Sequence, residues 1–219
     1  MKKLRKSKTI DNIQSIDPRH FLPKQVLPAV DILKRGGVVA FPTQGLYGLG
    51  ADAFNTSAVD RVFAIKKRDS GNPLLVLVPD RAAVSEVAAD IPAAALKLMD
   101  RFWPGRITIV FKALSRLPEN LVAGTGKIGV RVSGHPVART LVSMFDRPIT
   151  GTSANFTGRP GCHRIEDFDR RLLEQLDQVL DAGPLAGGQG STVVDVTSRL
   201  PSIIREGVVP RQEILAALS

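Results

Sequence analysis

The sequence predicts an α/β protein in which a twisted, mixed β-sheet carries helices packed against it. Three observations support this. Short runs of β-branched and apolar residues, bounded by Gly and Pro, alternate with segments whose apolar residues recur at three- and four-residue spacing. The alternation has no self-similar period, which excludes a repeat architecture. Of the 219 residues, 43% are hydrophobic and 23% charged, enough apolar surface for one sizeable core and too much for a disordered chain.

Residues 1–20 read as a basic, mobile arm, because Lys2, Lys3, Arg5, Lys6 and Lys8 crowd together with little apolar periodicity. Such an arm either touches RNA or a phosphate ligand, or is a solvated terminus. Residues 21–219 read as one domain. Val26, Val30 and Leu33 share a face of a helix over 24–35, which Gly36-Gly37 stops. A buried strand over 38–41 ends at Pro42, and a Gly-rich turn follows over 43–50. The next helix starts after Asn55-Thr56-Ser57, which offers N-cap side chains. Its stripe Val59, Val62, Phe63, Lys66 puts the lysine stem against the core and its amine toward a cleft. Further strands are expected over 74–78, 107–112, 128–132, 148–152, 179–180, 192–196 and 202–205, and helices over 81–89, 92–103, 136–145, 167–176 and 210–218. In such sheets ligands bind beyond the carboxyl ends of strands, and unusual loops follow Phe41, Val132, Thr152 and Val196.

Several function classes are excluded. Cys162 is the only cysteine, so one chain can hold neither a disulfide framework nor a cysteine zinc site. His20, His135 and His163 are not spaced as metal ligands. One Trp and nine Phe do not suggest an aromatic platform for single-stranded bases. No apolar run is long enough to cross a membrane, and the basic N-terminus lacks the apolar stretch of a secretory signal. The expected compartment is the cytoplasm. There is no P-loop, no dinucleotide-binding G-x-G-x-x-G, no H-E-x-x-H and no G-x-S-x-G.

What remains is basic and hydroxyl residues at loop positions. The net charge of +9 suits a polyanionic ligand or simply a basic surface, and charge alone does not separate the two. Lys66-Lys67-Arg68 ends a helix, where cations also complement the macrodipole. Ser153-Ala154-Asn155 ends a strand, where short hydroxyl and amide groups with free backbone N–H suit phosphate or ribose. Arg131 lies in an apolar strand. A buried guanidinium is costly without an anion, so a substrate carboxylate or an internal Asp is implied.

These strings, from about Lys24 to Arg211, resemble the YrdC-like family of L-threonylcarbamoyl-AMP synthases. Pro42-Thr43-x-x-x-Tyr47-Gly48-Leu49-Gly50 is similar to the family's P-T-E-T-x-Y-G-L-G, and Lys66-Lys67-Arg68 to its K-x-R. Trp103-Pro104-Gly105, Gly129-Val130-Arg131-Val132, Ser153-Ala154-Asn155 and Ser191-Thr192-Val193-Val194-Asp195 resemble its later motifs in the same order. Departures are visible: Gln44 and Gly45 replace Glu-Thr, Asp69 and Ser133 each replace a common Pro, and Leu77 stands where many relatives carry His.

The resemblance implies a YrdC-like twisted sheet around a large basic cleft. It implies a nucleotidyltransferase that makes threonylcarbamoyl-AMP and pyrophosphate from ATP, L-threonine and bicarbonate, feeding a tRNA modification. It implies that Lys66 and Arg68 hold the triphosphate, with Lys127, Ser153, Asn155 and Arg205 as further ATP contacts. Thr43, Arg131 and Ser191 hold threonine, with Arg131 on its carboxylate. Mg²⁺ arrives on the ATP phosphates, with no metal ligand assigned to the protein. Further partners implied are tRNA or double-stranded RNA and the proteins of the later threonylcarbamoyl transfer, with no membrane. A different class, a non-catalytic RNA-binding paralogue using the same cleft, is the alternative.

Overall fold

The computed structural model describes residues 12–69 and 71–219. Residues 1–11 of the expected arm, and Ser70, lie outside these. The first half of the chain supplies β1 (Ile13–Ser15), α1 (Leu27–Lys34), β2 (Val39–Pro42), β3 (Tyr47–Gly50), α2 (Thr56–Lys66), β4 (Leu75–Leu77), α3 (Ala93–Phe102) and β5 (Ile107–Lys112). The second half supplies α4 (Glu119–Val122), β6 (Lys127–Arg131), α5 (Pro136–Phe145), β7 (Ile149–Thr150), β8 (Thr152–Ser153), α6 (Arg170–Leu173), β9 (Gln178–Asp181), β10 (Thr192–Asp195), β11 (Ser202–Arg205) and α7 (Arg211–Leu218).

The α/β class is as the sequence predicts, but the strands divide between two mixed sheets. One has the order β1-β9-β2-β3-β8 and the other β11-β10-β5-β6-β4-β7. The divide falls at Gly151. Thr150 belongs to β7, which pairs antiparallel with β4, whereas Thr152 and Ser153 pair antiparallel with Leu49 and Gly48 of β3. The strand expected over 148–152 therefore changes sheets midway. Only glycine permits the crossing, because a Cβ at 151 would come within 2.7 Å of Leu75 and 2.9 Å of Leu77.

Other differences have local causes. Within the span expected as an arm, 1–20, Ile13–Ser15 add a parallel strand to β9, Asn12 Nδ2 donates to Leu176 O at 2.7 Å, and Ile16 is buried. Residues 47–50, expected as turn, are strand. Tyr47 and Leu49 are buried in the larger core, while Gly48 and Gly50 lie against the Phe41 ring, which a Cβ at either would crowd. The helix expected over 24–35 is a 3₁₀ turn (Pro23–Val26) followed by α1, because Pro28 in its first turn has no N–H to continue a ladder from residue 24. The helix expected over 81–89 is a 3₁₀ turn (Ala82–Glu86); the chain then leaves to bridge Ala88 to Ala113 beside β5. The helix expected over 167–176 is the end of a 3₁₀ turn (Ile165–Asp167) followed by the short α6, capped by Asp169.

Two clusters of apolar side chains hold the layers. α1 and α5 cover β2 and β9 through Val30, Leu33, Leu141 and Val142 packed on Val39, Phe41 and Leu180. A larger cluster joins α2 and α3 to both sheets, including Val59, Val62, Leu98, Ile109 and Val130. No helix among the described residues is long and apolar enough to cross a membrane.

Candidate functional site

A cleft of about 620 Å³ opens between the sheets, within the range of small-molecule sites. β3 and β8 of one sheet face β5, β6, β10 and β11 of the other, and Thr43, Gly45, Leu46, Arg68, Pro73 to Leu75 and Gln189 to Ser191 complete the wall. Thr43, Arg68, Lys127, Arg131, Ser153, Ser191 and Arg205, all singled out from the sequence, line it. Lys66 and Asn155 stand behind the wall.

The position of Lys66 follows from its helix. Asn55 caps α2 by accepting from Ala58 N at 3.1 Å, and Lys67 ends it in the left-handed conformation (φ 49°). This leaves Lys66 on the buried stripe, 2% exposed. Its amine donates to Ser153 O (2.5 Å), Asn155 O (2.8 Å) and Asn155 Oδ1 (3.2 Å). All three hydrogens of the ammonium are thereby engaged. Burial first, and then the nearby Arg68 charge, lower its pKa to about 8. Lys67 is exposed and lies over the Phe156 ring at 5.3 Å. The loop that Lys66 holds is also tied from within: Ser153 Oγ donates to Asn155 Oδ1 at 2.5 Å, and Asn155 Nδ2 donates to Arg159 O.

The cleft guanidiniums rest on neutral oxygens. Arg68 donates to Asn72 O (3.1 Å) and Pro73 O (3.0 Å), and Arg205 to Ser191 O (2.8 Å). Arg131, 8% exposed, donates to Gly105 O (2.7 Å) and Gln44 Oε1 (3.1 Å). The internal Asp that the sequence offered as one partner for Arg131 is not what holds it; an amide and a carbonyl are. Burial, then the Arg106 charge, lower Arg131 to about 10, and burial, then Arg205, lower Arg68. Among the described residues the one carboxylate lining the cleft is Asp195, paired with Lys127 Nζ at 2.8 Å. Burial alone would raise its pKa, but hydrogen bonds from Lys127 and Thr197 hold it below the usual carboxylate range. Among the described residues, Arg68, Arg106, Arg131 and Arg205 thus face the cleft without an ion-pair partner.

Thr43 donates to Leu46 O at 2.6 Å and so closes its own turn, and Ser191 Oγ lies 2.7 Å from Thr108 Oγ1. Sequence reasoning missed Arg106 and Thr108, both of which line the cleft. Thr108 had a signal, the one hydroxyl in the apolar run Ile107 to Phe111. Arg106 had only its place between Trp103-Pro104-Gly105 and that strand. Among the described residues no three His, Cys, Asp or Glu side chains group as metal ligands.

The two sheets of this α/β protein enclose a cleft lined by guanidiniums without ion-pair partners among the described residues, a lining whose chemistry suits an anionic small molecule. Residues 31–207 match the Sua5, YciO and YrdC family model, described as telomere recombination, and the chain belongs to that family. It is 33% identical over 209 residues to the threonylcarbamoyl-AMP synthase of Bacillus subtilis, covering 95% of this chain and 59% of that one. It is 32% identical to the putative threonylcarbamoyl-AMP synthase of Methanocaldococcus jannaschii, covering 89% of this chain and 87% of that one. The crystal structure of P. abyssi Sua5 complexed with L-threonine superposes with a TM-score of 0.87 at 31% identity, over 94% of this chain and 60% of that one. The chain therefore spans a little over half the length of some relatives and most of the length of others.

Proposed function

We propose that this chain is a threonylcarbamoyl-AMP synthase. It would convert ATP, L-threonine and bicarbonate into threonylcarbamoyl-AMP, pyrophosphate and water. The observation that carries the reading is the set of unpaired guanidiniums in one cleft, in a chain whose relatives bear that activity as their name. The threonine amine attacks bicarbonate, or CO₂ derived from it, to give a carbamate. A carbamate oxygen then attacks the α-phosphorus and pyrophosphate leaves. Negative charge collects on phosphate oxygens in the transition state, so preorganised cations supply the stabilisation and no protein nucleophile is needed.

Arg68, Lys127 and Arg205 would hold the triphosphate and Ser153 the region of the α-phosphate and ribose, while Asn155, behind the wall and hydrogen-bonded to Lys66, Ser153 and Arg159, would serve ATP by fixing the loop that carries Ser153. Thr43, Arg131 and Ser191 would hold threonine, with Arg131 on the carboxylate. The assignment of Lys66 changes: its hydrogens are committed to the Ser153–Asn155 loop, so it acts by positioning that loop. Among the described residues no side chains group into a metal cage, and Asp195 is already paired. Mg²⁺ would enter with ATP, coordinated by phosphate oxygens and water. The compartment would be the cytoplasm, and the product would pass to the proteins that threonylcarbamoylate tRNA.

The test is pyrophosphate release that needs both threonine and bicarbonate. Arg68→Ala is expected to reduce it by ~10²-fold, the usual loss for a preorganised electrostatic group. Pyrophosphate release indifferent to threonine would point to another adenylation. Salt-sensitive RNA binding without nucleotide chemistry would support the non-catalytic alternative.

A further inference from the structure

Arg106 has no role in the assignments above, yet its guanidinium reaches the cleft beside Arg131. The turn formed by Gln44 and Gly45 connects them. Arg131 Nη2 donates to Gln44 Oε1 at 3.1 Å, and the same oxygen accepts from Gly134 N at 3.2 Å. The side chain of Arg106 occupies the space over Gly45: a Cβ there would overlap Nη2 of Arg106 and come within 2.9 Å of Gly187 O. Two adjacent residues thus each receive one of the two guanidiniums, one through a neutral amide and the other through a missing side chain.

Neither cation is neutralised. Arg131 has Gly105 O and Gln44 Oε1, and Arg106 has Gln189 O at 3.1 Å with a longer contact to Gly187 O. The Arg106 charge bears on Arg131, adding to burial in lowering its pKa. Two guanidiniums repel each other unless an anion lies between them, and a planar oxyanion accepts from two such forks at once. A Glu at 44 would fill that role from within the protein, and a side chain at 45 would displace Arg106. Gln44 and Gly45 do neither.

We infer that Arg106 and Arg131 together form a subsite for a planar carboxylate-type oxyanion, in which Arg106 is a specificity-determining residue. The oxyanion is the carboxylate of the amino-acid substrate or bicarbonate, which share this chemistry. The choice of those two ligands rests on the proposed synthase reading, whereas the subsite itself rests on the geometry.

The experiment is calorimetric titration of the full chain, without nucleotide, with L-threonine, L-threoninamide and sodium bicarbonate. Wild type, Arg106→Leu, Arg106→Lys and Gly45→Ala are compared, with thermal melts confirming that each folds. Wild type is expected to prefer L-threonine over L-threoninamide. Arg106→Leu should weaken L-threonine by ~10-fold or more, the loss of one charge-assisted hydrogen bond, and leave L-threoninamide where it was. Arg106→Lys should recover part of the preference, and Gly45→Ala should fall between. If bicarbonate binding alone weakens, the subsite stands and its oxyanion is bicarbonate. Equal weakening of L-threonine and L-threoninamide would make Arg106 only a latch on the 187–189 loop and overturn the inference. So would unchanged binding of all three probes in Arg106→Leu, or no binding of any of them to wild type. Because no ATP is present, failure of the synthase reading is seen separately, as carboxylate discrimination without pyrophosphate release.

Discussion

Replacing Lys66 with Met tests whether that amine builds the site or touches the substrate. Methionine keeps the length and packing of the stem and removes the ammonium. Three hydrogen bonds are lost, but their acceptors are not equally orphaned. Ser153 O still accepts from Asn155 N at 3.0 Å, and Asn155 Oδ1 still accepts from Ser153 Oγ at 2.5 Å. Asn155 O has Lys66 as its donor and is left bare. One buried acceptor without a partner costs ~1–3 kcal/mol, and the two secondary bonds add ~1 kcal/mol each. Relief of the buried charge offsets part of this, leaving a net loss of ~2–4 kcal/mol. For a domain of this size that corresponds to a melting temperature lower by ~5–15 °C, measured without ligands by calorimetry. Activity should fall with it, and ATP affinity should be lost through displacement of Ser153 and Asn155. A ligand-free melting temperature within ~2 °C of wild type, with activity abolished, would refute the reasoning and return Lys66 to direct contact with the triphosphate.

The lowered pKa of Lys66 gives a second expectation. Between about 8 and the ordinary 10.5 the unfolded chain holds a proton the folded one does not, so stability rises with pH in that window. The gain is full above pH ~10.5 and is lost as the pH falls through ~8, and it amounts to roughly 3 kcal/mol across the window for a fully buried amine. Lys66→Met should lack it in parallel melts. Burial lowers His135 to about 4, so its contribution is present above the ordinary 6.5 and lost as the pH falls through about 4. Its ring resonances should therefore not titrate near pH 6.5 by NMR. Gly151→Ala should lower the melting temperature and the affinity for ATP together, because the added Cβ meets Leu75 and Leu77 where the chain passes between sheets. Asp195→Asn removes the carboxylate paired with Lys127, and should tighten ATP binding by roughly threefold at low salt, within the range for a partly exposed ion pair.

The parts of the fold legible in the sequence are those whose signal is local. α5 begins at Pro136 and ends at Phe145 as expected, since Pro at the first turn and an unbroken apolar stripe fix both ends. β5 and β11 also match, as runs of β-branched residues between turn formers. β3 was illegible because its face is completed by the Phe41 ring of a neighbouring strand, and glycine opposite an aromatic ring looks like turn when read alone. The split into two sheets was illegible for the same reason, since it depends on what Gly151 would collide with. In the site, the burial of Lys66 was legible from helical periodicity, but the direction of its amine was not. That Arg131 sits in an apolar strand was legible, and its neutral partners were not, because Gln44 and Gly105 are distant in sequence.

The same geometry explains why the cleft can hold several cations and still fold. Each guanidinium is fixed by carbonyl or amide oxygens, which orient it and satisfy its donors without cancelling its charge: Asn72 and Pro73 for Arg68, Gly105 and Gln44 for Arg131, Gln189 for Arg106, Ser191 for Arg205. Carboxylates in those places would stabilise the empty protein and compete with the ligand. Neutral oxygens leave the repulsion in place until an anion enters, so part of the binding free energy is relief of that repulsion. Binding of pyrophosphate, used as a nucleotide-free probe, should consequently raise the melting temperature more at low than at high ionic strength. A stabilisation independent of salt would mean that the guanidiniums are already compensated and that this account of the cleft is wrong.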